Sequence, residues 1–392
     1  MLNPTSVASL QSALRAAGVD GWLLYDFRGI NAIASGLVGI KGFVSRRWFV
    51  WVPASGTPVA ITHVIEQNPW HDWPAAWENR QYSAWPMLEV EVARCVKGKR
   101  IVMEYSPGDA VPYVDYVPAG VLELVRAAGA TVQSSGDLVT RFLAVWNDEE
   151  RRTHDIAAEQ LKDIAYAAFR RAGAAAHAGA PITEYALTEW IRSEFDRLGL
   201  WTDHGPNVSA TENAANPHYD PSPDQPRFLK VGDIVLIDLW AKASDGMWAD
   251  QTYMASIGAP SARAVEVWNA VRDARDAAIT LLRAKLATGA PVRGGEADDA
   301  ARQVIVDRGF GQYFTHRTGH SIDASGLHGS GAHLDNLETR EERVLLDGCG
   351  FSIEPGIYIA GEIGMRTEVN AYVRGTTLVV TPKEPQVELF VV

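Results

Sequence analysis

Apolar residues recur along this chain in two rhythms. Up to about residue 145, helix-like and strand-like stretches alternate. Leu10 and Leu14 fall at helical spacing, and Gly18 stands where such a helix would end. GWLLYD (21–26) reads as a buried strand, and RRWFVWVP and TPVAITH read as strands joined by the turn ASGT. A helix is predicted near 87–97, then the strand RIVMEY, then a helix over 117–128. Beyond residue 146 the rhythm changes. Asn147, followed by the acidic DEE, predicts the start of a long helix running to about 177, where GAP breaks it. Further helices are predicted over 183–198, 261–287 and 293–308, and strands near 206–211, 233–241, 247–257, 349–354 and 366–375. The segment 212–230, rich in Pro, Asn and Asp, predicts an ordered but irregular loop.

The length of 392 residues exceeds one comfortable core, so two domains are expected, 1–146 and 147–392. The first is a small α/β domain without a catalytic motif of its own. The second, with helices packed on largely antiparallel strands, is α+β. A net charge of −12 argues against nucleic acid as a partner, which requires a basic footprint. No stretch approaches 18 uninterrupted apolar residues, so no membrane span or membrane partner is expected. The start of the chain reads as an ordinary amphipathic helix and not a signal peptide. With Cys95 and Cys349 the only cysteines, a reduced compartment is the default, and the expected location is cytoplasmic.

Two pairs of acids change the picture most. Asp238 and Asp250 flank a turn centred near Ser244, and Glu354 and Glu368 flank one centred near Gly361. Folded as hairpins, these turns would set Asp238 opposite Asp250 and Glu354 opposite Glu368. Like charges that close are destabilising unless a cation lies between them. Asp238 also ends the apolar run GDIVLID, where an unpaired charge is costly. Read singly, the aspartates could be surface acids at strand ends, and Arg366 could satisfy Glu368 as a plain salt bridge. Between the pairs lie His316, His320 and His328, beside Gly319 and Gly326. Four acids and a histidine suggest a site for two metal ions.

The order Asp, Asp, His, Glu, Glu, in VLIDLWA, ADQTYMASIG, RTGHSID, SIEPGIY and MRTEVNAYV, resembles the pita-bread metallopeptidases. That family includes methionine aminopeptidase, Xaa-Pro aminopeptidase, Xaa-Pro dipeptidase (prolidase) and the metal-free creatinase. LLYDFRGINAIASG resembles the N-terminal domain of creatinase and prolidase. The resemblance, most similar to prolidase, implies a pita-bread catalytic domain behind a creatinase-like α/β domain. It implies that Asp238 chelates one metal, that Asp250 and Glu368 bridge two, and that His320 and Glu354 complete the second. His218 and His328 match histidines that contact the substrate, and Arg366 would orient Glu368 or nearby carboxylates. The two aspartates stand twelve positions apart, one more than is usual in the family, and the segment after His320 departs from the family pattern.

The implied reaction is hydrolysis of an Xaa-Pro bond in a small peptide, releasing proline from dipeptides. The oxygen-rich donor set suits Mn(II) first, with Zn(II) and Co(II) as alternatives, at two ions per subunit. Glu354 would move a proton from the attacking water to the leaving nitrogen. An aminopeptidase acting on longer Xaa-Pro peptides, a metal-free creatinase-like hydrolase and a non-catalytic binding protein are the competing readings. Relatives with this N-terminal domain are commonly dimers, so a homodimer is expected.

Overall fold

The computed structural model describes residues 1–324 and 326–392. The chain divides into two compact units, Met1–Val139 and Thr140–Val392.

In the first unit the predicted strands Gly21–Asp26, Trp48–Pro53, Val59–His63 and Arg100–Met103 lie in one six-stranded mixed sheet. Its edges are Glu78–Tyr82 and Thr131–Ser134. These two strands escape a hydrophobic reading because ENRQY and TVQS carry little apolar surface and are only partly buried. Five of the seven tryptophans in this stretch, Trp22, Trp48, Trp51, Trp70 and Trp73, are buried, so they belong to the core.

The second unit has the expected α+β character. Asn147 accepts hydrogen bonds from the backbone N–H groups of Glu149 and Glu150, and the helix Asp148–His177 begins there as predicted. The helix Glu184–Leu198 follows. Both helices bury residues such as Leu161, Phe169, Ile191 and Phe195 against Val235, Ile237 and Tyr253 of the hairpin Ile234–Ala243/Ala249–Ser256. A second pair of helices, Ala262–Ala287 and Gly294–Asp307, packs through Val271, Ala274, Leu282 and Ala301 on Phe351, Ile353, Ala371 and Val373. A helix pair followed by a hairpin thus occurs twice, although the sequence shows no internal repeat.

The two hairpins differ in register. In the first, Asp238 faces Thr252 and Asp250 faces Trp240, so the expected opposition of Asp238 and Asp250 is not what forms. The turn closes with the Gly246 N–H donating to Ala243 O, and the pairing axis falls at Asp245, one residue beyond Ser244. The aspartates still share one face, as diagonal neighbours with Cα atoms about 7–8 Å apart. In the second hairpin the axis is at Gly361 as expected, with Ile353 facing Val369 and Gly356 facing Arg366. The ladder is interrupted between those two pairs. Pro355 has no N–H to donate and breaks the pairing there. Glu354 and Glu368 occupy the gap.

Candidate metal centre

The interrupted ladder positions the acids. Outside regular pairing, the Glu354 N–H donates to Thr318 O at 2.6 Å and the Glu368 N–H donates to Thr252 O at 3.2 Å. One glutamate is thereby tied to the loop that carries His320, the other to the first hairpin. The Asp250 N–H donates to Asn370 Oδ1 at 2.8 Å and joins the two hairpins a second time. Gly319 lets the His320 loop lie flat on the second hairpin, since a Cβ there would stand 2.0 Å from Ser352 O. The His320 N–H then donates to Ser352 Oγ at 2.9 Å, and that hydroxyl donates to Glu354 Oε1 at 3.0 Å.

Asp250, His320 and Glu368 are buried, and each offers a ligand atom within 4.8 Å of the others. His320 Nδ1 lies 3.1 Å from Ser321 O. A proton on Nδ1 leaves the Nε2 lone pair facing Asp250 Oδ2 at 3.2 Å and Glu354 Oε1 at 3.5 Å. Three acceptors in such proximity call for a proton or a cation between them. Burial first, then the charges of Asp238 and Glu354, push Asp250 well above the usual carboxylate range. Burial and the neighbouring Asp250, Glu354 and Asp238 do the same to Glu368. Glu368 Oε1 is buried without a hydrogen-bond partner among the described residues. An oxygen left bare in a nest of acids fits a metal ligand, because a bound dication would supply the missing positive charge.

Asp238 adjoins this cluster. It forms a tight ion pair with Arg366, and Thr252 Oγ1 lies 3.2 Å from Asp238 Oδ1 and 2.8 Å from Glu368 Oε2. Arg366 also donates through Nε to Thr252 Oγ1 at 2.8 Å, while Glu368 Oε2 is 3.9 Å from the same Nε. Burial works to lower the arginine's pKa, but the surrounding carboxylates, Asp238 foremost, hold it well above its ordinary value. Arg366 therefore touches Asp238 more closely than Glu368.

The histidines separate into two groups. The His328 ring lies against that of His320, tilted by 53° with centroids 4.2 Å apart. Although one side of His328 remains open to solvent, the adjacent His320 and then the crowding protein push it down to about 2. His218 lies on the exposed loop after Ala215, near enough to His328 to count among the groups depressing it. His316 instead pairs with Tyr358 and a backbone carbonyl. Its Nε2 is 2.8 Å from the Tyr358 hydroxyl, its Nδ1 is 2.7 Å from Arg317 O, and burial lowers it to about 4.

Thr252, Ser352 and Asn370 are the supporting residues that sequence reading passes over. A faint signal existed: Thr252 and Asn370 each stand two positions after a predicted ligand, and Ser352 two before one, which places each on the same strand face.

Residues 157–375, more than half of the chain, match metallopeptidase family M24. Xaa-Pro dipeptidase of Lactobacillus helveticus is 36% identical over 162 residues, covering 41% of this chain and 40% of that protein. The Xaa-Pro dipeptidase of Lactobacillus delbrueckii subsp. lactis is 35% identical over 190 residues, covering 48% and 47%. The matched stretches thus span less than half of these curated relatives. Among solved structures, dipeptidase PepE from Mycobacterium ulcerans superposes with a TM-score of 0.71 at 25% identity, over 99% of this chain and 97% of that one. A prolidase from Thermococcus sibiricus shares the fold with a TM-score of 0.65 at 21% identity, each chain fully covered. The buried Asp–His–Glu cluster and the family match agree on one assignment: the chain belongs to metallopeptidase family M24.

Proposed function

We propose that this chain is a dinuclear-metal peptidase that hydrolyses Xaa-Pro bonds and releases proline from dipeptides. The observation that carries the reading is the buried set Asp250, His320 and Glu368, with Glu368 Oε1 lacking a hydrogen-bond partner among the described residues. Asp238, Asp250, His320, Glu354 and Glu368 would hold two divalent ions, Mn(II) by preference, with Zn(II) or Co(II) able to replace it. When bound, such ions supply Lewis-acid polarisation of the scissile carbonyl and activation of water at neutral pH.

The chain's own residues do the rest. Ser352 orients Glu354, which takes a proton from the attacking water and passes it to the leaving nitrogen. Arg366 holds Asp238 in place, and Thr252 donates its hydroxyl to Glu368. His218 and His328 donate hydrogen bonds to the charge that develops on the carbonyl oxygen. The catalytic domain begins by Asn147, whose side chain caps its first long helix.

No helix among the described residues is long and apolar enough to cross a membrane. Both cysteines are buried and free, which supports a reducing cytoplasmic setting, and a homodimer is proposed on the resemblance to relatives with this N-terminal domain alone.

The test is a peptide panel of Leu-Pro, Leu-Pro-Pro and Leu-Leu, run with Mn(II), Zn(II) and Co(II). Metal-dependent release of proline from Leu-Pro is expected. Cleavage of Leu-Pro-Pro without Leu-Pro would make aminopeptidase the better name.

A further inference from the structure

The loop that carries His218 has little regular structure of its own beyond the turn Asn213–Ala215, yet it is fastened at both ends. Glu184, the first residue of the helix Glu184–Leu198, does much of the fastening. An acid in a first helical turn ordinarily faces solvent and favours the helix amides. Glu184 is instead 1% exposed, and its carboxylate is turned onto the loop. Oε1 accepts the Ala210 N–H at 2.7 Å, Asn213 Nδ2 donates to Oε1 and Oε2 at 3.2 and 3.0 Å, and the Tyr219 hydroxyl donates to Oε2 at 2.6 Å. The Glu184 backbone N–H donates to Arg227 O at 2.9 Å, at the far end of the same loop. Arg227 in turn pairs with Glu212 at 3.0 Å and Asp233 at 2.8 Å. On its other side the loop rests on Gly364, where a Cβ would stand 1.7 Å from Ala214 O.

We propose that Glu184 is a positioning residue for His218, acting through Tyr219, the residue next to that histidine. A buried carboxylate is costly unless its acceptor sites are filled, and here donors from strand end, turn and loop fill them. The energy that satisfies Glu184 therefore holds the His218 backbone in one place. The inference rests on the reading that His218 contacts the substrate.

The test compares His218→Ala, Glu184→Gln, Tyr219→Phe and the double variant Tyr219→Phe/His218→Ala, all loaded with Mn(II). Steady-state kinetics on Leu-Pro, thermal midpoint, bound metal and hydrogen exchange over residues 211–219 are measured. Tyr219→Phe should lower kcat roughly tenfold with bound metal unchanged and the thermal midpoint only modestly lowered, and exchange over 211–219 should accelerate. The double variant should be no slower than His218→Ala, because both changes remove one function. Multiplying losses, or an unchanged kcat and exchange rate in Tyr219→Phe, would overturn the proposal. If Glu184→Gln fails to fold, Tyr219→Phe decides alone. Native turnover in His218→Ala would sink the role of His218 and this proposal with it. The exchange data would still report separately whether Glu184 anchors the loop.

Discussion

Glu104 in the first unit and Glu368 in the second are both carboxylates withdrawn from water, and they are held in opposite ways. Glu104 receives Trp22 Nε1–H at 2.5 Å, Asn31 Nδ2–H at 2.8 Å and Ser135 Oγ–H at 3.4 Å. All three donors are neutral. Burial pushes Glu104 up to about 7, and the three donors work against that rise. Glu368 accepts one hydroxyl, from Thr252, has one bare oxygen, and faces Asp250, Glu354 and Asp238. Neutral donors complete the first environment. The second has Arg366 Nε 3.9 Å away but four acids to balance, so it fits further positive charge, and that difference separates a structural acid from a candidate ligand.

Substitutions at the two acids and their neighbours can break this comparison. The largest effect is expected from Glu354→Ala, which should lower kcat on Leu-Pro by about 10³-fold, measured on metal-loaded protein. Next comes the pH dependence of stability set by Glu104. Its folded pKa lies above the unfolded value, so its contribution is fully present below about 4.5 and is lost as pH rises through about 7. The loss should reach about 3 kcal/mol, and Glu104→Gln should flatten it in denaturant melts across that window. Glu368→Gln should act in the same sense on the metal-free protein and in the opposite sense once metal is added. Metal-free protein at pH 7 should gain about 1–2 kcal/mol, while the stabilisation by added Mn(II) disappears. The smallest effect belongs to Thr252→Val, which takes a hydroxyl from Asp238, Glu368 and Arg366. About 1 kcal/mol of thermal stability should be lost, with roughly tenfold weaker metal binding by calorimetry.

Sequence patterns disclosed these two environments unequally. The four acids stood out in the sequence because Asp238 and Glu354 interrupt apolar strands and each has an acidic counterpart across a turn, while His320 was singled out by its glycine-flanked histidine segment and by the family resemblance. The second hairpin axis, at Gly361, was legible from its flanking acids. The first was misplaced by one residue, since the turn after Ala243 is closed by a backbone hydrogen bond that no side-chain pattern reports. The break in the ladder around Glu354 and Glu368 was half visible: Pro355 signals an ending, but the outward bonds to Thr318 and Thr252 depend on packing. Glu104 and Glu184 carried no signal. Their partners Trp22, Asn31 and Tyr219 are distant in sequence, and an acid alone in a helix or strand reads as a surface charge.

The central claim is that the second environment is completed by metal and serves peptide hydrolysis. The most direct measurement is proline release from Leu-Pro by one preparation, taken before dialysis against a chelator, after it, and after Mn(II) is restored. Activity should vanish on dialysis and return with Mn(II). Undiminished proline release from protein shown to contain no metal would contradict the account.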